Sequence, residues 1–103
     1  ETAQQAADTA NNLLKQAESD REKIKSIGRA ASSALRVHHA LQQRPLLSIP
    51  KACEMTELWT TTVTSSMGHL QELGIVTEIT GSKRNRLYKY NEYVKLLNEG
   101  TEI

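Results

Sequence analysis

The chain has 103 residues, of which 38% are hydrophobic, and a formal net charge of +1. This length suits one domain with a modest core, and no apolar run approaches the length needed to span a membrane. The near-neutral charge does not by itself indicate a nucleic-acid-binding protein. The single cysteine, Cys53, has no partner for an internal disulfide, which favours a reducing cytoplasm.

Residues 1–18 are rich in alanine and favour a helix. Its apolar stripe, spaced alternately three and four residues apart, consists of Ala3, Ala6, Ala10, Leu13 and Ala17. Such a stripe is typical of a coiled-coil seam or of a helix that packs on a neighbouring domain. Because alanine side chains are small and make a weak coiled-coil seam, packing on a neighbouring domain is favoured. We therefore expect residues 1–18 to connect this domain to an upstream domain, with Leu13 as a candidate protein contact. Left uncovered, the stripe favours a homodimer.

A second helix is predicted to start near Ser19, because Ser19 and Glu22 have the spacing of a capping box. It continues to about Gln43 with a weak point at Gly28, and the following Arg-Pro pair ends it. Its predicted inner face consists of Ile27, Ala31, Ala34, Leu35, His38 and Leu41. Residues 19–103 are accordingly predicted to form the folded domain.

Two short helices joined by a tight turn are predicted over residues 50–73, after a short strand at residues 46–49. Pro50 suits the first helical position. Val63, Met67 and Leu70 give the second helix one apolar face, and Gly74 suits its C-terminal cap. Two helices and a tight turn form the helix-turn-helix pattern, whose first functional suggestion is nucleic-acid binding.

The turn of this helix-turn-helix departs from the usual pattern at two positions. Glu57 stands where glycine is usual, so a left-handed backbone is expected at a cost of about 1 kcal/mol. Trp59 stands where serine usually caps the second helix, which leaves Thr60 as the predicted cap.

Two strands, at residues 75–80 and 87–90, are predicted on either side of a charged loop. A last helix begins at Asn91 and stops at Gly100. This order of elements predicts a winged helix-turn-helix fold, mainly α with a small antiparallel sheet, behind an extra N-terminal helix. The loop of residues 81–86 is the predicted wing.

The outward face of the second helix follows from a rotation of about 100° per residue away from its apolar face. Its centre lacks the Arg, Asn and Gln side chains that read bases most strongly. Residues 50–74 carry one Lys and three Glu, a net charge of −2, whereas the wing is basic and suited to phosphates. The candidate nucleic-acid-binding residues are Thr61, Thr64, Ser65 and His69 on the helix and Lys83, Arg84 and Arg86 in the wing.

Other chemistry-bearing residues have a structural and a functional interpretation. An exposed Trp59 is a typical anchor for a protein partner, whereas a Trp59 folded over the turn is structural, and the sequence leaves both open. His38 and His39 are adjacent and cannot face one metal ion together, so no metal site is predicted. Cys53 has no evident histidine partner for nucleophilic catalysis.

Two segments carry a family resemblance: GRAASSALRVHHALQQRPLLSIPKACEM and TVTSSMGHLQELGIVTEITGSKRNRLYKYNEYVKLLNEG. Through them the chain resembles the C-terminal region of Fic family proteins over residues 19–100. In that family an upstream Fic domain transfers AMP from ATP to a hydroxyl side chain of a target protein, using a loop of the form HPFxxGNGR. No such loop occurs in this chain. The resemblance therefore implies an accessory domain without catalytic residues or a cofactor of its own, ATP belonging to the absent Fic domain.

The leading hypothesis is a DNA-binding or regulatory role for this accessory domain. The alternative is a protein-interaction module, acting through Trp59 and Leu13, that docks the Fic domain, a second copy or the target protein. A catalytic role is disfavoured, because no phosphate-cradling glycine loop, metal set or nucleophile–base pair is apparent. The expected partners are double-stranded DNA, the upstream Fic domain and a second copy, with no membrane.

Overall fold

The computed structural model describes residues 2–80 and 86–101, and the side chains of residues 7–80 and 86–99. These residues form five α-helices, a turn of 3-10 helix at Gly28–Ala30 and a three-stranded sheet. In chain order the elements are α1 (Thr2–Lys25), α2 (Ala31–Gln43), β1 (Leu46–Ser48), α3 (Ile49–Thr56), α4 (Thr60–Glu72), β2 (Val76–Glu78), β3 (Leu87–Tyr90) and α5 (Asn91–Thr101). The predicted fold class, mainly α with a small antiparallel sheet, is confirmed.

The central strand of the sheet is β3, which pairs antiparallel with β1 on one side and with β2 on the other. Its side chains alternate, so that Tyr88 and Tyr90 are buried while Leu87 and Lys89 are half-buried. The three strands have only three or four residues each. A sheet this small is not stable alone and depends on the helices packed against it.

The hydrophobic core contains buried side chains of α1, α2, α3, α4 and the sheet. Its largest fully buried apolar members are Tyr90, Ile24, Leu41, Leu47, Met67 and Leu70. The inner face of α2 buries Ala34, His38 and Leu41 as predicted. Val37 and Ala40 are buried as well, because the apolar stripe of a core helix is broader than a single row of side chains.

The helix start predicted at Ser19 is wrong, because α1 runs without interruption from Thr2 to Lys25. Ser19 is an exposed residue inside this helix, and its neighbours Ala17, Asp20 and Ile24 are buried on one face. Packing of that face holds the helix together across the capping-box motif. The chain breaks later, around Gly28, whose φ of +88° suits glycine.

The N-terminal helix α1 packs against both α2 and α5 of the same chain. In its apolar stripe Ala17 is buried and Leu13 is half-buried, whereas the next residue, Leu14, is 65% exposed. The stripe is therefore partly covered within this domain, and Leu14 is the more exposed leucine of the pair.

A buried polar network joins α1, α2 and β3. The Tyr90 hydroxyl donates to Asp20 Oδ2 at 2.7 Å and lies 2.8 Å from His38 Nε2. Gln42 Nε2 lies 3.2 Å from His38 Nδ1. When the Gln42 amide donates to Nδ1, the proton of neutral His38 is on Nε2 and points to the Tyr90 hydroxyl. Gln16 Nε2 donates to both carboxylate oxygens of Asp20 at 3.2 Å. Among the described side chains no buried nitrogen or oxygen lacks a hydrogen-bond partner.

Burial governs the protonation of this network. It lowers the pKa of His38 from 6.5 to about 4, although the charge of Asp20 acts in the opposite direction. Burial also raises the pKa of the Tyr90 hydroxyl, and its hydrogen bond to Asp20 raises it further. At neutral pH His38 and Tyr90 are therefore both uncharged.

Candidate nucleic-acid interface

The helix-turn-helix consists of α3, a three-residue turn and α4. The α3 helix begins one residue earlier than predicted, with Ser48 as its N-cap and the Ser48 hydroxyl accepting from the Lys51 N–H at 3.2 Å. Pro50 is therefore its second residue rather than its first. The C-cap of α3 is Glu57, whose φ of 60° confirms the left-handed backbone expected there.

Trp59, rather than Thr60, is the N-cap residue of α4. Trp59 has an extended backbone, with φ −69° and ψ 155°, and makes no capping hydrogen bond with its side chain. The prediction that Thr60 caps this helix is wrong, because Thr60 already lies in the first helical turn. Its hydroxyl instead lies 3.7 Å from Cys53 Sγ on α3.

The turn is held from both sides by Thr56, the last residue of α3. The Thr56 hydroxyl donates to the Ala52 carbonyl at 2.7 Å and accepts from the Leu58 N–H at 3.3 Å. The Thr56 carbonyl, one of the groups that a helix end leaves without an intrahelical donor, accepts from Arg36 Nη2 on α2 at 2.6 Å. A side chain of α2 therefore holds the position at which the chain turns into α4.

The orientation of α4 agrees with its apolar periodicity. Val63, Met67 and Leu70 are buried, together with Ser66. The helix ends at Glu72, and the φ of +78° at Gly74, just beyond its C-cap, allows the Ile75 N–H to reach the Leu70 carbonyl at 2.9 Å.

The candidate contact residues of α4 lie on its outward side. Thr61 and Ser65 are exposed, and Thr64 and His69 are half-buried beside them. His69 Nδ1 lies 3.8 Å from Glu72 Oε1. The helix therefore presents two exposed hydroxyls, flanked by a third hydroxyl and an imidazole that has a carboxylate nearby.

The predicted wing lies between β2 and β3, and its residues Lys83 and Arg84 fall outside the described part of the chain. Arg86 is described and is half-buried. Its backbone carbonyl accepts from the Ile49 N–H at 3.1 Å, which ties the base of the wing to the start of α3. Four of the seven candidate residues thus lie on α4, and Arg86 lies immediately before β3.

Trp59 is 82% exposed, the highest value among the large hydrophobic side chains that the structure describes. It therefore projects from the head of α4 and does not fold back over the turn. This settles its exposure, which the sequence left open.

A groove of about 500 Å³ lies between α2 and α3, beside the turn. Arg36, His39 and Gln43 of α2 line it on one side, and Met55 and Thr56 of α3 on the other. Sequence reasoning missed this groove and the contact of Arg36 with Thr56, since the two residues are 20 positions apart and no motif links them.

Two further features concern the described residues as a whole. Within residues 2–80 and 86–101 no group of three or more His, Cys, Asp or Glu side chains is arranged to hold a metal ion. None of the described helices combines the length and the apolar character that crossing a membrane requires.

No protein-family model matches the chain, and no curated protein matches it. Among solved structures it is similar to that of BpsR from Bordetella bronchiseptica, a protein whose DNA binding is regulated by 6-hydroxynicotinic acid. The TM-score is 0.53 at 18% sequence identity, and the match covers 87% of this chain and 74% of the other. At this identity the likeness shows a shared fold. Nothing in these comparisons links the chain to Fic proteins.

Proposed function

We propose that this chain is a regulatory DNA-binding domain of the winged-helix type. The observation that supports this most directly is the orientation of α4, which buries its apolar side in the core and exposes a polar side, as a recognition helix must do to contact the major groove. The fold shared with BpsR, a protein that binds DNA, is consistent with it. The small-molecule regulation of BpsR makes an effector-responsive role worth testing here as well.

In this proposal the helix and the wing have different tasks. Thr61, Thr64, Ser65 and His69 on α4 contact base edges and sugars, which gives weak selectivity because none of them forms a bidentate pair with a base. Most of the attraction comes from the wing, where Lys83, Arg84 and Arg86 neutralise phosphates. Affinity is therefore expected to depend strongly on salt.

The test is a titration of duplex DNA at several salt concentrations, using Lys83→Ala/Arg84→Ala/Arg86→Ala and a matched control. Lys15→Ala/Arg29→Ala/Lys95→Ala changes the net charge equally, at exposed positions outside residues 81–86. The wing variant is expected to weaken binding and to reduce the slope of log K against log salt by about 2 to 3. Absence of binding at low salt, or equal effects of the two variants, contradicts the proposal.

A second candidate function is a protein-interaction module, favoured by the 82% exposure of Trp59. Exposed tryptophans are frequent anchors of protein interfaces. In this alternative the partner that contacts Trp59 is an upstream domain, a second copy or a target protein. Leu13 was the predicted contact on α1, and its exposed neighbour Leu14 provides a cleaner substitution.

Light scattering at increasing protein concentration tests the second copy as the occupant. Self-association through these positions is expected to be lost in Trp59→Ala or Leu14→Glu, with Lys95→Ala as the control. A monomer at all concentrations, or association that survives both substitutions, contradicts the homodimer.

The resemblance of residues 19–100 to Fic proteins supports a finer proposal, that the domain accompanies a catalytic Fic domain. ATP and the transfer of AMP then belong to that upstream domain. The check is the sequence of the full-length protein and an AMP-transfer assay on it. An upstream region without an HPFxxGNGR-like loop contradicts this parentage and leaves DNA binding by this domain unaffected.

A further inference from the structure

The groove between α2 and α3 combines a polar rim, in which Arg36 carries the positive charge, with an apolar floor. Leu35, Ala40 and Met55 contribute apolar surface, whereas Arg36, His39 and Gln43 contribute polar groups. None of the described residues that line it is acidic. Its volume of about 500 Å³ lies within the range of small-molecule sites.

Arg36 is the group in this groove best suited to an anion. Its guanidinium carries five N–H donors, and the structure uses Nη2 to donate to the Thr56 carbonyl at 2.6 Å. A carboxylate accepts two parallel hydrogen bonds from guanidinium and carries a full charge, so it is a stronger acceptor than a neutral carbonyl. Along the rim, Gln43 Nε2 lies 3.3 Å from His39 Nε2, and Gln43 has a second amide proton to donate.

We propose that this groove binds a small carboxylate with an apolar body, which competes with the Thr56 carbonyl for Arg36. The carboxylate pairs with the guanidinium, and the apolar body covers Met55, Leu35 and Ala40. Inorganic phosphate and the DNA backbone match the charge of the rim but leave the apolar floor uncovered. The floor therefore favours the carboxylate over both.

Binding at this groove changes how α4 is held. When Arg36 turns to the ligand, the Thr56 carbonyl at the end of α3 loses its donor from α2, and the turn at residues 57–59 loses this hydrogen-bonded restraint while α2 still packs against α3 and α4. The outward face of α4 is then less firmly oriented. This regulatory step rests on the proposed DNA binding, whereas occupation of the groove does not.

Hexanoate is the probe for the groove, with 1-hexanol as the uncharged control and acetate as the control without an apolar body. Amide NMR spectra of the chain are expected to show saturable shifts for residues 35–43 and 55–59 with hexanoate alone, with a dissociation constant on the order of 1 mM. Inorganic phosphate at the same concentration serves as the anion control. Equal shifts with 1-hexanol or with phosphate overturn the assignment.

Two substitutions locate the anion contact. Arg36→Gln is expected to weaken hexanoate binding at least tenfold, whereas the matched Arg29→Gln, at an exposed position outside the groove, leaves it unchanged. Gln43→Glu leaves Arg36 in the chain but adds a carboxylate to the groove, which repels the ligand and competes with it for Arg36, so it is expected to weaken binding several-fold in a folded protein. Unchanged affinity in both Arg36→Gln and Gln43→Glu contradicts the proposal.

A duplex-DNA titration with and without saturating hexanoate separates this inference from the proposed function. Hexanoate is expected to lower DNA affinity about tenfold in the wild type and to have no effect in Arg36→Gln. If hexanoate fills the groove and DNA never binds, the proposed function fails while the site stands. If DNA binds and saturating hexanoate leaves its affinity unchanged, the regulatory step fails. If hexanoate does not bind in the groove at all, the groove assignment is wrong, whatever effect Arg36→Gln has on DNA binding.

Discussion

Two regions of this molecule use polar side chains in opposite ways. Where α1 meets α2 and β3, Asp20, His38 and Tyr90 are buried at 2%, 1% and 0% exposure and are bonded to one another. On the outward side of α4, Thr61 and Ser65 are exposed and free to meet a partner. The polar residues that stabilise this domain therefore differ from those available for recognition, so changes in one region should leave the other intact.

The largest expected effect comes from Ile24, which is 0% exposed and joins α1 to the core. Ile24→Ala removes buried methyl groups and leaves a cavity, so we expect the free energy of unfolding to fall by about 3 to 4 kcal/mol. Leu14→Ala, on the same helix but 65% exposed, is the control and should change it by less than about 0.5 kcal/mol. Denaturant titration measures both. Equal small effects mean that α1 contributes little to the stability of this domain.

The second effect is a loss of stability in acid that depends on His38. Its pKa is 6.5 when unperturbed and about 4 in the fold, so the unfolded chain binds more protons between these values. The contribution of His38 is complete above pH 6.5 and is lost as the pH falls to about 4. It amounts to about 3 kcal/mol.

Chemical denaturation across this pH range, compared between the wild type and His38→Gln, measures that effect. The variant should be less stable at neutral pH and should lose less stability in acid, whereas His39→Gln, at an exposed neighbour, should follow the wild type. Parallel pH curves for the wild type and His38→Gln rule out His38 as the source of the acid sensitivity.

The smallest effect belongs to the exposed turn. Glu57 has a φ of 60°, a left-handed backbone that glycine adopts without a steric penalty. Glu57→Gly should therefore raise the free energy of unfolding by up to about 1 kcal/mol. Glu54→Gly, inside α3, is the control in which glycine should lower the free energy of unfolding, since glycine in a helix interior costs about 1 kcal/mol. Thermal unfolding followed by circular dichroism distinguishes them, and a loss of stability in Glu57→Gly refutes the account of strain.

Features encoded by neighbouring residues were predictable. The alternation of Leu87–Tyr90 gave β3 with its observed bounds, and the spacing of Val63, Met67 and Leu70 gave the buried face of α4. The left-handed backbone of Glu57 followed from the place of the turn alone. The outward face of α4 was also predictable by rotation, whereas its role in DNA binding stays a prediction.

Features that depend on distant partners were missed. The motif at Ser19 predicted a helix start, but packing of Ala17 and Ile24 against the rest of the fold carries α1 through that position. Asp20, inside α1, accepts a hydrogen bond from Tyr90, 70 residues away, which no local pattern indicates. The Thr60 cap failed for a related reason, since only the backbone of the folded turn decides which residue is the N-cap.

The sequence by itself determined the winged-helix order of elements, the inward face of α4 and the basic character of the loop at residues 81–86. These depend on periodicity, on the conformational limits of single residues and on formal charge, all of which are local properties. Only the tertiary structure decided that Trp59 is exposed, that His38 and Asp20 are buried together, and that Arg36 holds the end of α3 beside a groove. Burial and hydrogen bonding depend on contacts between residues that are distant in the sequence. A local sequence pattern does not show which distant side chain makes such a contact.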